Sequence, residues 1–142
     1  SNARLVIGEL KDTLPAFLRS VGDHAPIGFI SIDVDYHSST VDALKVCEAR
    51  PSQYLPPTQV YLDDLEHPSH NSWAGERAAV LEFNDAHPLR KIEQHAFLRG
   101  YRIFRNARRI DHMFTLHVLD HATRATLVQP REATVLTNPY IK

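Results

Sequence analysis

Glycine is scarce: there are five in 142 residues, at positions 8, 22, 28, 75 and 100. No two of them form a G-x-G, so a Gly-rich phosphate-cradling loop is excluded from the chain as it stands. Cysteine is scarcer still. Cys47 is alone, which rules out an internal disulfide and fits a reducing, cytoplasmic setting. Neither sign of charge dominates, with 16 Lys and Arg against 17 Asp and Glu. The net charge of −1 offers no strong field to nucleic acid, which is not expected as a partner. The apolar runs are too short to cross a bilayer and no secretory pattern opens the chain, so no membrane partner is expected either.

What is present is ordinary for a globular domain: 43% hydrophobic and 23% charged residues, with enough length for one core. Ser1-Asn2-Ala3 reads as an expression-tag remnant, and residues 4–142 as a single α/β domain. Leu5 to Leu10 reads as a short strand. Pro15 to about Val21 reads as a helix with Pro15 in its first turn, and Leu14, Phe17, Leu18 and Val21 at helical spacing. Ile27 to Val34 reads as a buried strand and Thr40 to Ala49 as a helix. The pattern Ser39-x-x-Asp42 can cap that helix. Pro56-Pro57 reads as a rigid loop, Gln59 to Leu65 as a strand, and Gly75 to about Asp85 as the clearest helix. Phe97 to Phe104, Met113 to Leu119 and Ala125 to Val128 read as late strands, and the tail from Gln129 as irregular. Early alternation predicts a parallel sheet with covering helices; the late strands predict an antiparallel edge.

Carboxylates gather at the ends of the predicted strands. Asp33 and Asp35 lie two apart, on one face if the chain is extended there, and Asp63-Asp64 ends the next strand. Neighbouring strands lie roughly 5 Å apart, so acids from both can converge on one hard cation such as Mg²⁺. One acid can then serve as a general base. The plainer alternative is that Asp63-Asp64 is solvated loop and Asp33 caps the following helix.

The run Ile32-Asp33-Val34-Asp35-Tyr36-His37-Ser38-Ser39-Thr40 carries a resemblance. So do Lys11-Asp12-Thr13-Leu14-Pro15 upstream, and Val60-Tyr61-Leu62-Asp63-Asp64 and Gly75-Glu76-Arg77 downstream. Taken together these resemble the macrocin O-methyltransferase group, class I enzymes of sugar and macrolide tailoring that depend on S-adenosylmethionine. The likeness spans roughly Ile7 to Asn84. It implies that Asp33, Asp63 and Asp64 hold a divalent metal, usually Mg²⁺, and that Asp35 takes the proton from the acceptor hydroxyl. It departs at Val34, where the group commonly has Gly, and at Tyr36-His37. Those two residues, with His67 and Trp73 in the loop after Asp64, are the candidate substrate-binding residues. Such enzymes hold S-adenosylmethionine with a Gly-rich loop after the first strand. Its absence implies the C-terminal half of a Rossmann-like methyltransferase sheet, lacking its first two strands, or a shortened relative of such an enzyme. The expected partners are a small-molecule acceptor and further copies of the chain, because a half-sheet exposes surface that an oligomer would bury. Two other readings stand beside this one: a non-catalytic oligomerising α/β module, and another divalent-metal enzyme such as a phosphoryl hydrolase.

Other residues have plainer readings. His70 belongs to the same loop as His67. His112, His117 and His121 read as surface groups along an edge, the arginines from Arg99 to Arg109 as a solvated face, and Cys47 as a buried structural thiol.

Overall fold

The computed structural model describes residues 3–65, 71–101, 103 and 107–126. Helix α1 (Leu10–Ser20) leads to strand β1 (Ile27–Ile32), helix α2 (His37–Leu44), strand β2 (Tyr54–Leu62) and helix α3 (Gly75–Ala86). Strand β3 (Arg90–Gln94), the single turn α4 (Leu98–Tyr101) and strand β4 (Met113–Val118) follow. The strands form one mixed sheet in the order β1-β2-β4-β3. β1 and β2 are parallel, and β4 is antiparallel to both its neighbours. β3 therefore runs in the direction of β2, and β4 is the one reversed strand, next to the edge.

Side chains alternate across this sheet. Ile30, Ile32, Val60, Leu62, Leu116 and Ile92 lie on one side and join a single core with Leu14 of α1, Leu44 of α2 and Phe83 of α3. The other side carries Phe29, Ser31, Gln59, Tyr61, Thr115 and Glu93, of which only Thr115 is buried. α1 packs on α2, α2 on α3, and α3 on β3.

Several expectations are corrected. Residues 3–7 form no strand; Leu5 and Ile7 are 83% and 85% exposed, and none of the described strands pairs with this apolar run. α1 starts at Leu10 because the Asp12 and Thr13 amides both bond the Glu9 carbonyl, so Pro15 lies inside the helix rather than in its first turn. β1 ends at Ile32, two residues early. α2 begins at His37 with Tyr36 at its cap, and Lys45–Glu48 continues it as a tighter 3₁₀ turn. Ser39 and Asp42 do not cap it: Asp42 bonds Lys45 (2.6 Å), and the Thr40 hydroxyl donates to the Tyr36 carbonyl (3.0 Å). Pro56 and Pro57, joined by a cis peptide, lie within β2, and β1 skips register opposite them. Residues 98–101 are helical, not strand. Ala125 ends a 3₁₀ turn, Thr126 follows as its cap, and Leu127, Val128 and the tail lie outside the described residues. His112 is buried, not a surface group, because β4 is an interior strand. Cys47 is fully buried, and burial pushes its thiol up to about 12. No described helix is long and apolar enough to cross a membrane.

Candidate functional site at the β1–β2 strand ends

β1 and β2 pair in register to their last residues, Ile32 opposite Leu62, and the Asp63 amide extends the pairing to the Ile32 carbonyl (3.2 Å). Asp33 and Asp63 therefore leave the same end of two adjacent strands. Parallel strands are fed by helices that return the chain to the opposite end, so both acids sit at the carboxyl edge, where open α/β sheets bind ligands.

The acids differ in surroundings. Asp33 is exposed, and so is Asp35, which lies beyond the strand in the bend before α2 rather than on a strand face. Asp63 is half-buried and held: Tyr61 Oη donates to its Oδ1 (2.6 Å), and Arg109 Nη1 donates to the same oxygen (3.1 Å). Arg109 Nη1 also reaches Tyr61 Oη at 3.1 Å. The bond to the Asp63 carboxylate is the main reason the Tyr61 phenol is raised above its ordinary value. Tyr61 stacks on His112, whose Nδ1 bonds the Leu62 carbonyl (2.7 Å) and ties β4 to the end of β2.

Behind these acids stands Glu76, in the first turn of α3. It is completely buried. Its Oε2 accepts the Asp64 amide (3.0 Å), and its Oε1 has no hydrogen-bond partner among the described residues. Burial drives its carboxyl up to about 7; the Asp64 amide opposes this, and the charges of Asp64, Asp63 and Asp33 add to it. Gly75, just before it, holds φ at +66°, a left-handed conformation that glycine enters without a steric penalty.

Of the residues read as substrate-side, Tyr36 is 71% and Trp73 91% exposed. His37 turns onto α3, its Nε2 2.9 Å from Glu82 Oε2. His67 and His70 lie outside the described residues. Sequence reasoning missed Glu76, Arg109, Tyr61 and His112 as parts of the site. A signal existed for the first: Glu76, Ala79, Val80 and Phe83 fall at i, i+3, i+4 and i+7, all buried, so the glutamate lies on the apolar stripe of α3.

The acids at these strand ends offer oxygen donors, the ligand type that a hard divalent cation takes. Their present arrangement is not a finished metal centre: among the described residues, no group of three or more His, Cys, Asp or Glu is placed to hold an ion. Compared with protein-family models, curated proteins and solved structures, the chain finds no match.

Proposed function

We propose that this chain is the metal- and acceptor-side part of an O-methyltransferase that uses S-adenosylmethionine, acting on a hydroxyl of a sugar-like or natural-product-like small molecule. The observation that carries the reading is the in-register pairing of β1 and β2, which sets Asp33 beside Asp63 at the carboxyl edge, with Asp35 and Asp64 close along the chain. A reversed strand next to the sheet edge also agrees with the C-terminal portion of such a sheet.

In this reading Asp35 is the general base. Exposed at the strand end, it accepts the proton of the acceptor hydroxyl as that oxygen becomes a nucleophile. Asp33, Asp63 and Asp64 are the residues that would hold Mg²⁺ or a similar cation, whose charge would lower the hydroxyl pKa. Tyr36 and Trp73 would border the acceptor. The described residues carry no Gly-rich loop for the methyl donor, so the proposal places the donor's site outside this stretch of chain. The same reading leaves the outer edge of β1, six uncharged residues, to a further strand or a second copy.

The test is calorimetry with S-adenosylmethionine on the longest form of the protein. Saturable binding is expected, as is methyl transfer that Asp35→Asn abolishes while the circular dichroism spectrum stays unchanged. Absence of cofactor binding would sink the reading. One observation favours the non-catalytic alternative: Asp63 already has a counter-ion in Arg109.

A further inference from the structure

The sheet has two edges, and they are finished differently. β3, at one edge, carries Arg90, Lys91 and Glu93, the kind of charge that keeps a sheet edge from pairing with another chain. β1, at the other, reads Ile27-Gly28-Phe29-Ile30-Ser31-Ile32, with neither a charge nor a proline. It pairs with β2 in regular register from Phe29 to Ile32. The Ile32 carbonyl turns toward β2, where it accepts the Asp63 amide. Backbone groups alternate in direction along a strand, so those of Ile30 turn the same way and those of Phe29 and Ser31 turn outward. Among the described residues, no strand pairs with that outer side, and no backbone hydrogen bond from outside the sheet reaches Phe29 or Ser31. The side chains of both residues are exposed as well.

We propose that β1 pairs antiparallel with β1 of a second copy of this chain, about a two-fold axis at Ile30, and joins two four-stranded sheets into one. Three features select a second copy. The outward groups are symmetric about Ile30. Phe29 falls opposite Ser31 of the second copy, and Ser31 opposite its Phe29, so every outward donor meets an outward acceptor. A two-fold axis also sets each residue near its own kind, and a charge close to the axis would repel itself. β1 has none, and Asp33, the first charge beyond it, falls opposite Ile27 of the second copy. On the apolar side, Ile30 meets Ile30 of the second copy, a β-branched pair of the kind that stabilises antiparallel strands. The two carboxyl edges then open at opposite ends of the joined sheet. The two copies of Asp33 stand roughly 20 Å apart along the strands, so each copy keeps its own site. This pairing commits the open edge of β1 to one occupant, and it needs nothing of the methyl-transfer reading. One short strand buries little area, so the association is weak and depends on concentration.

The experiment is sedimentation equilibrium on the longest form of the protein, across a wide range of concentration. Wild type should pass from monomer to dimer as concentration rises. Ser31→Pro removes an outward donor from each copy and no bond to β2, and should weaken the dimer at least about tenfold. Ser31→Lys and Ser31→Glu change an exposed side chain. Each should weaken self-association several-fold in low salt, because the side chains at position 31 of the two copies lie roughly 7–8 Å apart on one face. Mixing the Lys and Glu variants should restore association to the wild-type level or above, and 0.5 M salt should erase both effects. Circular dichroism checks each fold, and the Lys and Glu variants carry the test if Ser31→Pro misfolds. The proposal is overturned if wild type stays monomeric at every concentration, or if a folded Ser31→Pro associates as wild type does. It is equally overturned if the mixed variants associate no better than either alone. A dimer that takes no S-adenosylmethionine would sink the methyltransferase reading and leave the pairing standing. A monomer that binds it would do the reverse.

Discussion

The two sides of the sheet are built from the same strands and come out differently. On β2, Val60 and Leu62 are wholly buried, while Gln59 and Tyr61, one position away, stay half-buried. On β1, Ile30 and Ile32 are buried beneath the helices, while Phe29 is 58% exposed. The helix side is a finished core. The other side mixes an exposed aromatic with hydrogen-bonded polar groups, such as His95, whose Nε2 lies 2.6 Å from Gln59 Oε1 and 2.7 Å from Thr115 Oγ1. Among the described residues the apolar core lies on the helix side, and the other side stays partly exposed.

The largest expected effect follows from that asymmetry. Leu62→Ala removes a fully buried side chain from the core and should cost about 3 kcal/mol, cavity included. Phe29→Ala, on the open side, should cost under about 1 kcal/mol despite the larger side chain, because most of it is already in water. Urea denaturation of both variants measures this. Equal costs would break the contrast and show that the open side is covered in solution.

The second effect concerns how dry the helix side is. Glu76 titrates near 7 when folded and near its ordinary 4.5 when unfolded. The folded state therefore binds more protons between these values, and stability falls as pH rises through that window. The cost is absent below about pH 4, complete above about pH 8, and amounts to about 3 kcal/mol for a shift of this size. Glu76→Gln should remove that slope. Urea midpoints from pH 5 to 8 are the measurement, and equal slopes in the two proteins would mean that water reaches this carboxyl.

What could be read from the sequence, and what could not, follows the strength of local patterns. β1, α3 and β4 were legible because β-branched runs and an i, i+3, i+4 stripe announce themselves. β3 was not. Arg90-Lys91-Ile92-Glu93-Gln94 has a single apolar residue, and it becomes a strand through distant partners. Asn84 accepts the Ile92 amide (2.7 Å) and donates to its carbonyl (2.9 Å), while buried Arg90 pairs with Asp120. Leu5 to Leu10 failed the opposite way: its pattern was apolar, but a strand needs a neighbour, and none of the described strands pairs with it. At the site, the nearness of Asp33 to Asp63 was legible because consecutive parallel strands tend to be adjacent. Arg109 was not, since it meets Asp63 across 46 positions of chain. Glu76 is the intermediate case, visible in the phase of its helix but read at first only as a favourable charge at a helix start.

The smallest effect sharpens the contrast from the open side. Glu93 Oε2 lies 3.1 Å from His117 Nε2, with the glutamate side chain 77% exposed and the histidine 32%. The pair is a polar contact open to water, unlike the apolar packing that holds the other side together. Water screens the attraction, and two mobile side chains must be fixed to make it. Glu93→Gln should therefore change stability by less than about 0.5 kcal/mol at pH 7, and by still less in 0.5 M salt, where the Debye length is about 4 Å. The row in which Glu93 sits runs through Thr115 and Gln59 to Phe29. A loss of 2 kcal/mol or more, of the order expected for a buried charged pair, would mean that this row is dry in solution. Comparing urea midpoints at two protein concentrations would then show whether a second copy of the chain is what excludes the water.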